Sequence, residues 1–186
     1  AEGGIRGVER SRGLGDVYKR QPLLTGATEP FKYIGSDKCK MCHRTPKQGE
    51  QYKIWKNGPH AKAYETLANE ESVKIAKKME IDDPQKSDQC LVCHVTAFGV
   101  ADSLKMETMT LEEGISCEAC HGPGSDYKKM SIMKDHEKAV AAGLQVIDEE
   151  TCTKCHNEKS PTYKKFKFEE AVKVIAHPIP KKEVKE

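Results

Sequence analysis

The sequence has little of what an ordinary globular core requires. Only 37% of its 186 residues are hydrophobic, 6% are aromatic, and the mean hydropathy is −0.71. No apolar run approaches the roughly 18 residues of a membrane-spanning helix. The near balance of 31 basic and 29 acidic residues gives no basis for binding nucleic acid or a membrane surface. We therefore expect one small domain whose apolar interior comes partly from another source.

The first 26 residues differ from the rest of the chain. They contain six glycines but no cysteine or histidine, and no sustained helical period. Residues 16–21 resemble the translation of a transposon adapter used to prepare DNA libraries. We expect 1–26 to be an extraneous segment from sequencing or assembly, standing where a signal peptide should be, with a flexible basic leader as the alternative. Residues 27–186 then form a single domain.

All eight cysteines belong to four copies of the pattern Cys-x-x-Cys-His. This pattern is the attachment signature of c-type haem, because two thiols at this spacing form thioethers to the two vinyl groups of one haem. The following histidine then serves as the proximal iron ligand. The sequence predicts four haem c groups, attached through Cys39, Cys42 and His43, through Cys90, Cys93 and His94, through Cys117, Cys120 and His121, and through Cys152, Cys155 and His156.

Two other chemistries use paired cysteines, namely structural zinc sites and redox-active dithiols. Neither requires a histidine directly after the second cysteine, and here all four copies have one. Haem attachment is therefore the favoured interpretation. Four large apolar macrocycles would also explain how a chain with so few hydrophobic residues can fold.

The pattern between the motifs indicates short helices joined by loops. No convincing strand alternation is present, so the predicted fold class is mainly α, wrapped around four covalently bound haems with little or no sheet. Breaks at Asn57-Gly58-Pro59, Asp82-Asp83-Pro84, Gly143 and Pro178 delimit the helices. We predict helices over 48–56, from Pro59 to before Asp82, over 136–142 and over 168–176.

The remaining histidines are too few to close every iron. After the four proximal ligands, only His60, His136 and His177 are left, and each lies at a predicted helix end. Four bis-histidine haems would need four distal ligands, so at least one haem per chain lacks one. A methionine is the alternative sixth ligand, and it would raise the potential of that haem. The candidates are Met41, Met79, Met106, Met109, Met130 and Met133.

Residues 27–177 resemble the cytochrome c-554 family of tetrahaem electron carriers. The resemblance rests on the motifs and on the stretches Gly58-Pro59-His60-Ala61-Lys62-Ala63, Phe98-Gly99, Gly114–Gly124 and Phe166-Lys167-Phe168. It implies haems stacked in close pairs and a five-coordinate, high-spin iron at Cys90 and Cys93. It also implies that His60 serves the Cys117/Cys120 haem, His136 the Cys39/Cys42 haem, and His177 the Cys152/Cys155 haem.

The family resemblance also has implications for partners and location. Members in ammonia-oxidising bacteria take electrons from hydroxylamine oxidoreductase in the periplasm, so a donor of that kind and a periplasmic or extracellular location are expected. The segment between His156 and Phe166 is shorter here than in the family. That segment normally covers the open iron, and Pro161 and Thr162 are candidates to replace it.

Electron transfer is the leading functional interpretation, which makes the chain a carrier that works with redox partner proteins. The alternative is an enzyme that binds and reduces a small molecule such as nitric oxide at the open haem of His94. A third alternative is a subunit of an extracellular haem-wire filament. The histidine count disfavours the filament, because such wires usually close every haem with histidine.

Overall fold

The computed structural model describes residues 30–177, and the regular structure in this range is helical. Its ten α-helices, in chain order, are α1 (Ser36–His43), α2 (Gln51–Asn57), α3 (Ala63–Thr66), α4 (Glu70–Lys78), α5 (Asp88–His94), α6 (Cys117–His121), α7 (Met130–Met133), α8 (His136–Ala141), α9 (Glu149–Thr153) and α10 (Phe168–Ile175). Short 3₁₀ turns lie at Pro46–Gln48, His60–Lys62, Asp102–Leu104 and Leu111–Glu113. Between residues 30 and 177 the only β-type pairing is an isolated bridge from Tyr33 to Lys105. The mainly α prediction is confirmed.

Two predicted regions fall outside the described residues. They are the extraneous segment 1–26 and the tail that follows His177. The boundaries proposed for the domain therefore stay predictions.

The long helix predicted from Pro59 is divided into three pieces. A 3₁₀ turn at His60–Lys62 leads into α3, and α4 begins only at Glu70. Asn69 causes the division, because its side chain accepts the Ser72 N–H at 2.8 Å and starts a new helix as an N-cap. The Ser72 hydroxyl also donates to the Thr66 carbonyl at 2.8 Å, which fixes the bend. The apolar residues keep a helical spacing across Asn69, so the sequence pattern gave no sign that the helix divides there.

The other helix predictions are confirmed with small shifts. Helix α2 starts at Gln51 because Gly49, at φ 95°, ends a separate 3₁₀ turn just before it. Helix α8 begins after its N-cap Asp135, which accepts the Lys138 N–H at 3.2 Å. Helix α10 covers most of the predicted 168–176.

The hydrophobic core is small and lies where the motif helices meet. One cluster packs α3 against α5 through Leu67, Leu91 and Val95, with Tyr64 and Phe98 at its edge. The side chain of Ile34, just before α1, is 1% exposed, and α1 packs against α6. Within the described chain, none of the helices has the length and apolarity to cross a membrane.

Candidate haem-binding site

Each Cys-x-x-Cys-His motif lies on or directly after a helical turn. The first two motifs form the C-terminal parts of α1 and α5, the third makes up the whole of α6, and the fourth runs from α9 into the turn after it. Helical spacing brings a residue and the third one after it to the same side, so both thiols of a motif face one direction. All eight thiols are free of disulfides. This arrangement suits two bonds from each pair to one planar group.

The first and third motifs are neighbours. Helix α1 packs against α6, and the nearby Cys117 together with burial raises the pKa of Cys39. The second and fourth motifs also meet, because burial and contact with Cys93 raise the pKa of Cys155 to about 12. The pKa of Cys120 is raised by burial and, more weakly, by the charge of Cys152. The spatial order of the motifs is therefore first, third, fourth, second.

Hydrogen bonds between side chains and backbone groups connect the second motif and Trp55 to the segment before the third motif. Thr96, two residues after His94, is 5% exposed and accepts the Ser116 N–H at 2.7 Å through its hydroxyl. The same hydroxyl donates to the Gly114 carbonyl at 3.0 Å. The indole of Trp55 donates to the Ile115 carbonyl at 2.8 Å. The segment that leads into α6 is thus fixed from both sides.

The His94 ring is positioned for ligation. Its Nδ1 lies 2.7 Å from the Ala63 carbonyl, so Nδ1 carries the hydrogen and Nε2 keeps its lone pair for a metal. His43 has a similar second partner, since its Nδ1 lies 3.3 Å from Gln51 Oε1. These contacts are the usual means by which a protein orients a metal-binding imidazole.

Two of the three spare histidines lie against proximal ones. The ring centres of His60 and His156 are 6.0 Å apart, and those of His121 and His177 are 5.8 Å apart. With metal–nitrogen bonds of about 2 Å, two imidazoles on opposite sides of one metal have ring centres roughly 6 Å apart. Both pairs therefore have the spacing that two imidazoles would need in order to hold one iron between them.

This pairing differs from the one implied by the family resemblance. The resemblance implies that His60 serves the Cys117/Cys120 haem and His177 the Cys152/Cys155 haem, and these ring distances do not test that assignment, which stays a prediction. The His60 carbonyl does accept the Ile115 N–H at 3.0 Å, beside the third motif, but its ring lies near His156. Backbone proximity and ring direction are separate properties, and sequence order fixes neither.

Burial lowers the pKa of three of the paired imidazoles, His60, His121 and His177, which favours the neutral form that binds a metal. Burial and then the neighbouring His156 lower the pKa of His60. Burial, followed by His177 and His43, lowers the pKa of His121 to about 4. No group of three or more histidine, cysteine or acidic side chains within 30–177 could hold a metal by itself.

The structure does not bring the remaining predicted site residues close to one another. His136 is exposed at the start of α8, and in residues 30–177 no ring contact joins it to His43. His94 likewise has no second imidazole in ring contact within that range. Pro161 and Thr162 are exposed, and Thr162 bonds locally to Ser160. Their predicted roles stay predictions.

Sequence reasoning missed two residues that contact the site. The ring of Phe166 stacks on His156 with centres 5.1 Å apart and planes 19° apart. Glu118, inside the third motif, is 1% exposed and accepts hydrogen bonds from distant backbone. Phe166 was noted only as part of a family stretch, and a glutamate between two cysteines gives no periodicity signal at all.

Comparisons with known proteins agree with this site. The family model described as cytochrome c554 and c-prime matches residues 38–122, which include the first three motifs. Cytochrome c-554 of Nitrosomonas europaea is 31% identical over 145 residues, covering 70% of this chain. The match spans 59% of that relative's length. No solved structure matches the chain.

Proposed function

Because the chain belongs to the cytochrome c-554 family, and is therefore a multihaem c-type cytochrome, we propose that it is an exported carrier relaying electrons through four haem c groups. The proposed number of four haems rests on one observation, the four Cys-x-x-Cys-His motifs on helical turns. The two imidazole pairs at 6.0 and 5.8 Å support ligation of iron by this chain's own histidines.

The proposed ligand set assigns a role to each residue. The haem supplies an iron that changes oxidation state by one electron. The eight cysteines anchor the macrocycles, and His43, His94, His121 and His156 are the proximal ligands. His60 closes the iron of His156, and His177 closes the iron of His121. His136 is the remaining candidate for the iron of His43. Rigid bis-histidine coordination favours electron transfer, because little has to move when the charge changes.

The thiol contacts support an order for the electron path. The pKa of Cys39 is raised by the nearby Cys117, that of Cys120 by Cys152, and that of Cys155 by Cys93, so these motifs are neighbours. Neighbouring motifs place neighbouring macrocycles, so electrons would pass along the order first, third, fourth, second. The second motif then lies at one end of the path, and His94 holds its iron.

An enzymatic side activity is the second candidate, and the histidine count favours it. Three spare histidines cannot close four irons, and His94 has no second imidazole in contact within residues 30–177. An open iron at the end of an electron path could bind and reduce nitric oxide. Mixing the reduced protein with nitric oxide tests this directly, and absence of both binding and reoxidation would remove the candidate.

The partner is proposed to dock beside the fourth motif. Residues 154–167, here called the basic loop, contain five lysines and one glutamate, and all five lysines are exposed. Phe166 in this loop stacks on His156. An acidic redox protein in the periplasm, such as a hydroxylamine-oxidoreductase-like donor, would be attracted to this surface by its charge.

Electron paramagnetic resonance of the oxidised protein tests the proposed ligand set. We expect three low-spin ferric haems and one high-spin haem, with four thioether-linked haems per chain by mass. The variant His60→Ala should convert one further low-spin signal to high-spin, because the iron of His156 loses its distal ligand. Four low-spin signals, or fewer than four covalently bound haems in the native chain, would contradict the proposal.

A further inference from the structure

A buried acidic side chain stands inside the third haem-attachment motif. Glu118 lies between Cys117 and Cys120, and its side chain is only 1% exposed. Buried acidic residues are rare unless they are paired with a cation. Within residues 30–177, no ion pair at 4.0 Å or less includes Glu118, so backbone groups rather than a cation must hold its charge.

Three backbone N–H groups hold the carboxylate. Oε1 accepts from Gly124 at 2.7 Å and from Ile34 at 2.9 Å. Oε2 accepts from Gly35 at 2.8 Å and from Ile34 at 3.0 Å. Every partner is a donor, so a proton on either oxygen would face another hydrogen.

These contacts favour the ionised form. The pKa of Glu118 is nevertheless raised, because burial outweighs the opposing effect of the N–H groups of Gly124, Ile34 and Gly35. Lys128 also acts against this rise, from a greater distance. Hydrogen bonds to the charged form are the effect that keeps a buried carboxylate ionised.

The backbone around Glu118 is built to approach it closely. Gly35 has φ 81°, and a Cβ there would lie 2.5 Å from the Thr108 carbonyl oxygen. A Cβ on Gly124 would lie 2.9 Å from Ile34 Cδ1 and 3.2 Å from Glu118 Oε1. Glycine at these two positions allows the N–H groups to converge on one anion.

The carboxylate lies between two haem-attachment helices. Ile34 and Gly35 directly precede α1, which carries Cys39, and α1 packs against α6. The charge of Glu118 reaches Cys39, where it adds to the rise in pKa of that thiol. Glu113, which accepts the Ser36 N–H at 2.9 Å, also acts on Cys39, but Glu118 is the acid that lies inside the third motif as well.

We propose that Glu118 is a fixed buried anion that lowers the reduction potentials of the haems attached at the first and third motifs. The inference rests on the proposed haem attachment at these motifs. An oxidised haem carries one more positive charge than a reduced one, so a nearby anion in a poorly solvated site stabilises the oxidised form. The fourth motif has an exposed histidine and no buried acid between its cysteines, which are separated by Thr153 and Lys154.

Two variants separate charge from shape. Glu118→Gln keeps the shape and removes the charge, whereas Glu118→Asp keeps the charge and shortens the side chain. We expect Glu118→Gln to shift the oxidation equilibrium of these two haems by about tenfold toward reduction, which is 59 mV for one electron. We expect Glu118→Asp to retain most of the native potential. The measurement is a redox titration of the holoprotein followed by the individual low-spin signals.

The matched control is Glu112→Gln, which removes an exposed acid close to Glu113 and should leave all potentials unchanged. Equal shifts in Glu118→Gln and Glu118→Asp, or no shift in either, would overturn the proposal. If Glu118→Gln yields no holoprotein, Lys128→Gln decides, since removing this cation should lower the same two potentials and a lack of shift would count against the proposal. The haem content of the native chain, measured first, shows separately whether the proposed attachment is correct.

Discussion

The third and fourth motifs carry the same attachment pattern in contrasting surroundings. Around the third, Ser116 is 2% and Glu118 1% exposed, and their hydrogen bonds reach residues 20 and 84 positions away. The fourth ends at an exposed His156. Its bonds are local, as where Asn157 donates to the Thr153 and Lys154 carbonyls at 2.8 and 2.9 Å.

The difference shows which interactions hold each motif in place. The third motif is held by contacts with distant parts of the chain, so substitutions there should lower the stability of the whole fold. The fourth motif is held by its own helix cap and turn, so substitutions there should destabilise only the neighbouring residues. A protein that accepts electrons from a partner benefits from such a division, since one motif is accessible while another is insulated.

The largest effect is expected at Gly122, which follows the third motif at φ 76°. A Cβ there would lie 2.7 Å from the Gly143 carbonyl oxygen and 2.9 Å from Gln145 Cγ. We expect Gly122→Ala to lower the free energy of unfolding by about 3 kcal/mol, through a clash with backbone added to the positive φ. Denaturant titration followed by circular dichroism measures it.

Gly99→Ala is the matched control for that experiment. Gly99 has nearly the same φ, 77°, and a Cβ there would meet nothing within 4 Å. We expect a cost of only about 1 kcal/mol, from the positive φ alone. Equal decreases in the free energy of unfolding of the two variants would contradict this prediction, because they would show that close packing at the third motif adds nothing to the cost of the positive φ.

A smaller and more local effect is expected at the fourth motif. Asp148 caps α9 by accepting the Thr151 N–H at 2.9 Å, and the Thr151 side chain completes a capping box. We expect Asp148→Ala to cost about 1 kcal/mol and to speed amide hydrogen exchange over residues 149–156. Asp135→Ala, which removes the cap of α8, should speed exchange over residues 136–141 instead. Exchange that rises throughout the molecule would contradict local control.

The smallest effect is expected from surface charge. We expect Lys164→Glu with Lys165→Glu in the basic loop to slow reduction by an anionic metal complex a few-fold at low ionic strength, and to speed reduction by a cationic one. The control pair, Lys77→Glu with Lys78→Glu on α4, is equally exposed but lies in a helix without a motif. If both pairs change the rates alike, the basic loop is not a preferred entry point.

Much of this architecture was accessible from the sequence. The motif spacing predicted the chemistry, and Gly143 and Pro59 delimited helices where the backbone has them. The division at Asn69 was missed because N-capping depends on a side-chain rotamer, whereas apolar periodicity runs through the residue unchanged.

The ring neighbours of His60 and His177 could not be obtained from sequence order. His60 lies close in sequence to the first motif and its carbonyl bonds beside the third, yet its ring meets the fourth. Glu118 was equally hidden, since its three N–H partners come from segments as far as 84 residues away. Such contacts arise from tertiary folding and leave no local pattern.

The turn that carries His60 has a second role in the molecule. Three residues after His60, the Ala63 carbonyl accepts the hydrogen bond that orients His94. One short helical segment therefore lies beside the imidazoles of two different motifs. It accepts a hydrogen bond from His94 of the second motif, and its His60 ring lies near His156 of the fourth. A docking partner that rotates this turn should therefore move the His94 ring together with the His60 ring.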